Sequence, residues 1–306
     1  MHPLIHDWNQ TDAPKPPTVI LNDETLRDGL QSPSVRCPTI DEKLRILHLI
    51  DRLGIETADI GLPGAGPHVV RDVERLAREI ADQRLTVAAN CAARTAGRRH
   101  PADRGDLAAR RPADRVLHVH RVEPAAAASP KAGRSISCLK LTEDAIAFAV
   151  GEGLPVMYVT EDTTRADPDT LRALYSTAIR AGAKRVCVAD TVGHATPHGA
   201  RGGREVRRRG GRGVRRRGRI DWHGHRDRDF AIINTLAALE AGATRLHGAA
   251  IGIGERVGNT PMELLLVNLV LMGYLERDLS ALCELLRRRV GGDRRADPGE
   301  LSCRGT

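Results

Sequence analysis

Two histidines close to each other are the clearest sign of chemistry in the sequence. His223 and His225 lie in a short run from Ile220 that has the character of a β-strand. Side chains alternate along a strand, so both imidazoles would point to the same side. Imidazoles paired in this way are suited to hold a metal ion, and the alternative is a pair of solvated or core histidines. Whether the two histidines bind a metal depends on which other ligands the rest of the chain places beside them.

Alternating strand and helix patterns occupy most of the chain. The predicted strands are 18–27, 56–62, 85–91, 155–160, 185–191, 220–225 and 245–251, and an eighth falls at 116–122. The predicted helices are 41–53, 69–80, 139–150, 169–181, 230–241 and 262–271. Strands that alternate with helices of this length indicate parallel βαβ units. Eight such units predict an α/β fold of the TIM-barrel type, with a doubly wound open sheet as the alternative.

In a barrel the functional side chains gather where the strands end, at the C-terminal mouth. Polar residues follow several of the predicted strands. They are Arg27 and Asp28 after the first strand, Glu161 after the fifth, Thr191 after the sixth, the two histidines at the seventh and Asn259 after the eighth. A ring of Asp28, His223, His225 and Asn259 would hold one cation. Mixed nitrogen and oxygen ligands suit Mg²⁺, Mn²⁺ or Zn²⁺ alike.

Three motifs carry a resemblance to a known family. They are Asp23-Glu-Thr-Leu-Arg-Asp-Gly-Leu-Gln31, the His-Gly-His strand end, and Gly252-Ile-Gly-Glu-Arg-Val-Gly-Asn259. Together they resemble the DRE-TIM metallolyases, which comprise 2-isopropylmalate, homocitrate and citramalate synthases and hydroxymethylglutaryl-CoA lyase. The resemblance covers residues 18–93, 139–200 and 220–285. It implies that Asp28, His223 and His225 bind the metal, with Asn259 as a fourth ligand or near neighbour.

The resemblance also implies roles for other polar residues at the strand ends. Arg27 is expected beside the substrate oxygen that becomes anionic. Gln31, Glu161 and Thr191 are expected to line a 2-keto-acid pocket, and Glu161 is a second candidate catalytic residue beside Arg27. Purely structural readings remain open, because Asp28 could cap a turn and Thr191 could cap the following helix.

The glycine-rich loop has two readings. Gly252 and Gly254 either provide tight backbone geometry or contact CoA phosphate. Glu255 and Arg256 either form an ion pair that supports the loop or contact substrate.

The chemistry implied is a condensation of acetyl-CoA with a 2-keto acid. Such an acid chelates a divalent ion through its carboxylate and keto oxygens, so the ion orients it and polarises its carbonyl. Acetyl-CoA loses a methyl proton, and the metal and a fixed guanidinium stabilise the resulting enolate and alkoxide. Thioester hydrolysis then gives a 2-alkylmalate and free CoA. The sequence does not identify the base that takes the methyl proton.

The loop sequence favours a synthase over a lyase. Similar lyases carry a catalytic cysteine after the last strand, and residues 252–259 contain none. The segment from Val159 to Arg165 resembles isopropylmalate and homocitrate synthases alike. We expect 2-ketoisovalerate as the keto acid, hence 2-isopropylmalate and leucine biosynthesis. The alternatives are homocitrate or citramalate synthase and a hydroxymethylglutaryl-CoA lyase-like enzyme.

The net charge of +8 raises a non-enzymatic alternative, a basic nucleic-acid-binding protein. The basic residues are concentrated in three segments, 94–138, 201–219 and 287–306, which hold 26 of the 47 Lys and Arg and 8 of the 39 Asp and Glu. These segments are rich in Arg, Ala and Gly and contain no aromatic residue, unlike most nucleic-acid-binding surfaces. We therefore do not expect a nucleic-acid partner.

A shifted reading frame in a GC-rich gene explains these segments better than a basic surface does. Permitted codons read one nucleotide later turn 96–124 into a helix pattern followed by a buried strand, and they restore a sensible pattern in the other two segments. The hypothesis predicts compensating insertions or deletions near residues 95, 138, 200 and 219, and an uncompensated one near 287. The fourth βα unit and the sixth helix would then be disrupted. His118 and His120 would have no role in substrate binding.

We expect three regions in the chain: a tail at 1–17, a barrel at 18–275 and, at 276–306, the truncated and partly out-of-frame start of a post-barrel subdomain. The chain as written is expected to have weak or no synthase activity, and the intact family form implies a homodimer. No stretch is apolar enough to span a membrane, and the six cysteines have neither zinc spacing nor disulfide density. These features indicate a cytoplasmic protein without a membrane partner.

Overall fold

Eight parallel strands form a closed barrel in the computed structural model, which describes Pro16 and residues 18–94, 117–122, 132–202 and 219–287. The strands pair in sequence order, and the last pairs with the first. They are β1 (Ile20–Asp23), β2 (Thr57–Asp59), β3 (Ala88–Arg94), β4 (Leu117–Val122), β5 (Val156–Thr160), β6 (Arg185–Asp190), β7 (Arg219–Gly224) and β8 (Arg245–Gly248). The TIM barrel is thereby confirmed over the open sheet, and β4 confirms the strand expected at 116–122.

Helices accompany the strands. Those within the described ranges are α1 (Ile40–Arg52), α2 (Pro67–Asp82), α3 (Ala132–Gly151), α4 (Pro168–Arg180), α5 (Pro197–Ala200), α6 (Ala231–Glu240), α7 (Met262–Leu271) and α8 (Leu282–Arg287). α1 begins at a capping box, in which Thr39 and Glu42 each accept the other's backbone N–H. None of these helices is both long and apolar enough to cross a lipid bilayer.

The predicted helices agree with the observed ones to within two residues, except that α3 begins at Ala132 instead of 139. The strands differ more. β1 ends at Asp23, because the chain turns at Glu24, whose carbonyl accepts the N–H groups of Arg27 (3.2 Å) and Gly29 (2.9 Å). This turn places Arg27 and the following residue in a loop at the barrel mouth.

β7 has the predicted length but begins and ends one residue earlier than predicted. It ends at Gly224, and His225 forms an isolated antiparallel bridge with Asn259. The bridge is fixed by the N–H of Arg226, which donates to the Gly258 carbonyl at 3.0 Å. The loop after β8 is therefore attached directly to the end of β7.

Most of the segments expected to be out of frame lie outside the described residues, as does most of the tail at 1–17. The expected disruption covers 94–138 and 201–219, of which 95–116, 123–131 and 203–218 lie outside the described residues, while β4 and the beginning of α3 are described. The backbone of β4 pairs with both neighbouring strands. Beyond the barrel, α8 buries Leu282 and Leu285, and Glu284 pairs with Arg52 of α1 at 3.0 Å.

Apolar residues fill the layer between barrel and helices, whereas many of the side chains inside the barrel are polar. Leu21 of β1 belongs to one cluster with Leu47 and Ile50 of α1, and all three are fully buried. The side-chain oxygen of neighbouring Asn22 instead accepts hydrogen bonds from the side chains of Thr57 and Asn90 (2.7 and 2.6 Å). Burial of polar groups inside the barrel is tolerated because they bond to one another.

Candidate metal centre and active site

A cavity opens at the C-terminal ends of the strands. Its volume is about 740 Å³ with the open mouth included. Eight of the residues singled out in the sequence line it: Arg27, Asp28, Gln31, Glu161, Thr191, His223, His225 and Glu255. The barrel therefore brings most of the candidate residues together around one space.

The two histidines are in direct contact in this cavity. Their Nε2 atoms are 3.1 Å apart, and both side chains are buried. Burial lowers the pKa of His223 to about 3, and the nearby His225 acts in the same direction. Burial also lowers the pKa of His225, against the opposite effect of Asp28. Both rings are thus neutral near neutral pH, which is the form that binds metal ions.

Asp28 completes a three-residue cluster with the histidines. One ligand atom of each residue lies within 4.8 Å of the other two. Asn259 borders this cluster, and its Nδ2 donates to Oδ1 of Asp28 at 2.7 Å and to the carbonyl of Ile253 at 3.0 Å. Asp28 is buried, which by itself raises a carboxyl pKa, but Arg27 and the histidines hold the pKa of Asp28 below its ordinary value.

The donor set fits a divalent cation. Oδ1 of Asn259 and Nδ1 of His225 are buried and make no hydrogen bond within the described ranges. A buried carboxylate, two neutral imidazoles and an unsatisfied amide oxygen are together the ligands of a mixed nitrogen and oxygen site. Nitrogen ligands about 2.0–2.1 Å from one ion can lie at the separation seen between the two Nε2 atoms.

Arg27 is held beside the cluster by three carboxylates. Its Nη2 pairs with Glu24, its Nη1 lies 2.9 Å from Asp28, and its Nε lies 2.9 Å from Asp59. The side chain is 16% exposed, so the guanidinium borders the cavity while its orientation is fixed. The sequence reasoning found Arg27 and Asp28 but missed Glu24 and Asp59. A signal for Asp59 existed, since it is a charged residue between the apolar Ala58 and Ile60 in a predicted strand.

Two further buried residues escaped the sequence reasoning. Asp221 of β7 lies two positions before His223, and its carboxylate is bound by Arg185 (2.5 Å) and Arg245 (2.7 Å). His247 of β8 lines the cavity and lies between Asp221 and Glu24. The period-two spacing of Asp221 and His223 was visible in the sequence and places both on one side of the strand.

Neither capping alternative is observed. Asp28 precedes a short 3₁₀ turn, but its side chain makes no capping bond. Thr191 Oγ1 accepts the N–H of Asp162 at 2.7 Å and so connects the loops after β5 and β6. The residue that caps α5 is Thr196. Gln31 lines the cavity from the turn after β1.

Gly252 and Gly254 allow the loop after β8 to fold tightly. A Cβ at Gly254 would lie 2.1 Å from the Asn259 amide nitrogen and 2.7 Å from Asp28 Oδ1, so any side chain there would displace the cluster. Gly252 has φ +64, and its Cβ would lie 2.9 Å from Pro261. Neither glycine lines the cavity.

Arg256 ties three loops together. Its Nε and Nη2 lie 2.7 and 3.0 Å from the two oxygens of Asp227, in the loop after β7, and Nη2 also donates to the carbonyl of Thr191. The contact with Glu255 is longer, at 3.4 Å. Arg256 does not line the cavity, whereas Glu255 does, and the N–H of Glu255 lies 3.4 Å from Asp28 Oδ1.

A closed eight-stranded barrel with a buried cluster of potential metal ligands and a fixed arginine at its mouth has the architecture of a TIM-barrel enzyme. The chain belongs to the HMGL-like family, whose model matches residues 18–287. The DRE-TIM resemblance is thereby confirmed.

Synthases are among the curated relatives. A probable 2-isopropylmalate synthase of Methanopyrus kandleri is 33% identical over 283 residues, which cover 90% of this chain and 53% of that protein. A putative (R)-citramalate synthase of the same organism is 32% identical, with 92% and 53% covered. Its homocitrate synthase AksA is 36% identical, with 81% and 59% covered. The chain spans about half the length of the curated relatives it matches.

Solved structures of similar fold include hydroxymethylglutaryl-CoA lyases. The enzyme of Pseudomonas aeruginosa has a TM-score of 0.70 at 20% identity, with 90% of this chain and 92% of that chain covered. The enzyme of Bacillus subtilis has a TM-score of 0.70 at 18% identity, with 89% and 92% covered. At these identities the likeness shows the fold alone.

Proposed function

We propose that the chain is an acyltransferase that condenses acetyl-CoA with a 2-keto acid, assisted by a divalent metal. The observation that carries the proposal is the buried cluster of Asp28, His223 and His225 with Arg27 directly beside it in one cavity. The similarity to synthases of 2-isopropylmalate, citramalate and homocitrate supports it, as does the absence of cysteine from 252–259.

Asp28, His223, His225 and Asn259 would hold the metal. When bound, Mg²⁺, Mn²⁺ or Zn²⁺ supplies positive charge that orients a chelating 2-keto acid and polarises its keto group. The chain prepares this site in advance. The amide of Asn259 fixes one oxygen of Asp28, and burial keeps both imidazoles unprotonated.

Arg27 stabilises the anions that the condensation produces. A guanidinium carries five N–H groups, and the pairs with Glu24, Asp28 and Asp59 use three of its nitrogens in fixed directions. The remaining N–H groups can donate to an enolate or alkoxide oxygen beside the cluster. Because the charge is already oriented, little reorganisation is needed when the anion forms.

Gln31, Glu161 and Thr191 contribute polar contacts to the 2-keto acid. All three line the cavity, and they come from different strand ends. The hydroxyl of Thr191 also positions the backbone next to Glu161, since it accepts the N–H of Asp162. We assign catalysis to Arg27, beside the cluster, and to Glu161, the cavity-lining carboxylate after β5.

The cavity wall favours a keto acid with an apolar side chain. Leu62, Ala92, Ala93, Met157 and Val159 line it. Within the described part of the lining, Arg27 is the one Arg or Lys side chain, and three carboxylates already engage it. The second carboxylate of a dicarboxylic keto acid would meet no Arg or Lys side chain of its own in that part of the lining. We therefore propose 2-ketoisovalerate as substrate and 2-isopropylmalate, of leucine biosynthesis, as product. Homocitrate and citramalate formation are the alternatives.

Calorimetry of keto-acid binding tests the proposal. The Mn²⁺-loaded 306-residue chain is titrated with 2-ketoisovalerate, pyruvate and 2-ketoglutarate, and we expect the first to bind best. Asp28→Ala should abolish the binding, and Asp169→Ala, at an exposed carboxylate, should leave it intact. Preference for 2-ketoglutarate would contradict the assigned substrate. Keto-acid binding that does not need the metal would contradict the proposed enzyme. So would a chain that binds no keto acid and instead binds RNA in a salt-sensitive way.

Release of CoA tests whether the 306-residue chain catalyses the condensation as well as the product of a frame-restored gene. We propose that 94–138, 201–219 and 287–306 are read out of frame, so turnover of acetyl-CoA should appear in the product of a frame-restored gene and be weak or missing in this chain. Light scattering of the restored product tests the homodimer. Uninterrupted coding DNA with ordinary codon usage, or CoA release by the 306-residue chain, would contradict the frame hypothesis.

A further inference from the structure

His247 lies inside the barrel next to the cluster of Asp28, His223 and His225, and together with Glu24 and His223 it forms a second group of potential ligand atoms. It is 2% exposed, and its ring meets the ring of His223 edge to face with centroids 5.7 Å apart. Each of its two nitrogens approaches a carboxylate. Nδ1 lies 2.8 Å from Oε1 of Glu24, a close contact that lacks the angle of a hydrogen bond, and Nε2 lies 3.3 Å from Oδ2 of Asp221.

The Asp221 end of this bridge is rigid. Its carboxylate is fully buried and is gripped by two arginines, Arg185 on one oxygen and Arg245 on the other. Arg185 is itself fixed by the hydroxyl of Thr244 at 2.9 Å. Charge-assisted bonds from two strands thus define the position of Asp221, and His247 has a fixed anchor on that side.

The Glu24 end of the bridge faces the active site. Oε1 of Glu24 lies 3.8 Å from Nδ1 of His223, longer than a hydrogen bond, and Oε2 pairs with Arg27. Asn22 donates to the same Oε1 at 2.9 Å. A carboxylate beside Nδ1 of a metal-binding histidine favours the tautomer whose Nε2 lone pair is free for the metal. Glu24 thus acts on both the metal ligand and the guanidinium.

We propose that His247 is a positioning residue of the metal centre: bridging Asp221 and Glu24, it holds the Glu24 carboxylate between His223 and Arg27. The inference rests on the proposed metal site. Without the ring, Glu24 would have Asn22 and Arg27 as its remaining close partners and could turn toward the guanidinium, away from His223. His223 would then lose the group that orients it.

Isosteric variants separate positioning from simple space filling. In His247→Asn the side-chain amide occupies the place of Nδ1 and keeps an N–H group beside Glu24. In His247→Gln the amide occupies the place of Nε2 and can donate only toward Asp221. The measurements are Co²⁺ affinity by calorimetry, the Co²⁺ absorption spectrum, and thermal unfolding of the metal-free chain. His198→Gln, at an exposed histidine of α5, is the matched control.

We expect His247→Gln to weaken Co²⁺ binding about tenfold or more and to change the spectrum, as loss of support behind a metal ligand does. His247→Asn should stay close to the parent in both. If both variants bind Co²⁺ like the parent, or both weaken it equally, His247 does not act through Glu24. If His247→Gln does not fold, Glu24→Asp replaces it in the test. Its shorter side chain withdraws the carboxylate from His223, so we again expect weaker Co²⁺ binding and a changed spectrum. A parent chain that binds no Co²⁺ would instead overturn the proposed metal site itself.

Discussion

Nε2 of His223 lies 3.1 Å from Nε2 of His225, although His223 lies within β7 and His225, beyond the end of that strand, is bridged to a distant loop. Two neutral ring nitrogens at this distance either share one proton in a hydrogen bond or direct both lone pairs at one cation. The adjacent Asp28 carboxylate favours the cation.

Removal of one ring therefore tests the metal site. We expect His225→Ala to weaken Mn²⁺ binding by about a hundredfold or more, since loss of a supporting residue alone costs about 10–100-fold. Calorimetry on the metal-free chain measures the change. His68→Ala, at an exposed histidine, should bind Mn²⁺ like the parent. Equal affinity of the parent and His225→Ala would exclude His225 as a ligand.

Asp23 should make the stability of the protein depend on pH. Burial raises its pKa from 3.8 to about 7, against the opposing hydrogen bonds from Thr25, and its Oδ2 is buried without a hydrogen-bond partner within the described ranges. Because the folded pKa lies above the unfolded one, this carboxyl contributes stability that is present at low pH and lost as the pH rises through about 7. Asp23→Asn cannot ionise and keeps an oxygen for the N–H of Thr25.

The stability of Asp23→Asn relative to the parent should therefore increase with pH. The gain approaches about 1.4 kcal/mol per pH unit between about pH 4 and pH 7 and levels off above that window. Urea unfolding of the two metal-free chains across this range measures it. A difference that does not vary with pH would show that Asp23 titrates alike in the folded and unfolded states.

Ile251 occupies a strained backbone conformation in the loop after β8. Its φ and ψ are 50° and 18°, in the left-handed region that β-branched residues avoid, and it is 44% exposed. Ile251→Asn should raise the free energy of unfolding by about 1 kcal/mol, because asparagine tolerates this region. Ile233→Asn, at an exposed site within α6, should give no such gain, since asparagine is a weaker helix former. A lower free energy of unfolding in Ile251→Asn would show that the backbone conformation of Ile251 does not destabilise the protein.

The pair between Arg256 and Asp227 should couple the loops after β7 and β8. Its two parallel contacts, of 2.7 and 3.0 Å, have the bidentate geometry that makes such pairs specific. A double-mutant cycle with Arg256→Gln and Asp227→Asn, read out by urea unfolding, should give a coupling energy of about 0.5–1 kcal/mol, as the pair is partly exposed. Purely additive effects would mean that the pair does not stabilise the fold.

The sequence predicted the barrel and most of the candidate cluster because both depend on local patterns. Amphipathic periodicity fixed helices such as α1 and α4 closely, and the spacing of His223 and His225 put the two rings together. Strand ends were less accurate, since a turn such as the one at Glu24 is set by its own hydrogen bonds rather than by periodicity. The polar interior was not foreseen. Asp59, Asp221 and His247 are isolated charges in short strands, and only closure of the barrel shows that they meet.

Asn259 donates to Asp28 across 231 positions of the chain, and their strands are neighbours only because β8 closes against β1. A ribosome must therefore synthesise nearly all of the barrel before the two residues can meet. Metal affinity is for this reason a reporter of ring closure, which can be followed on a growing or circularly permuted chain. An ion that binds only the closed ring adds about 2.7 kcal/mol at a hundred times its dissociation constant. The metal ion would then also stabilise the contact between the first and last strands.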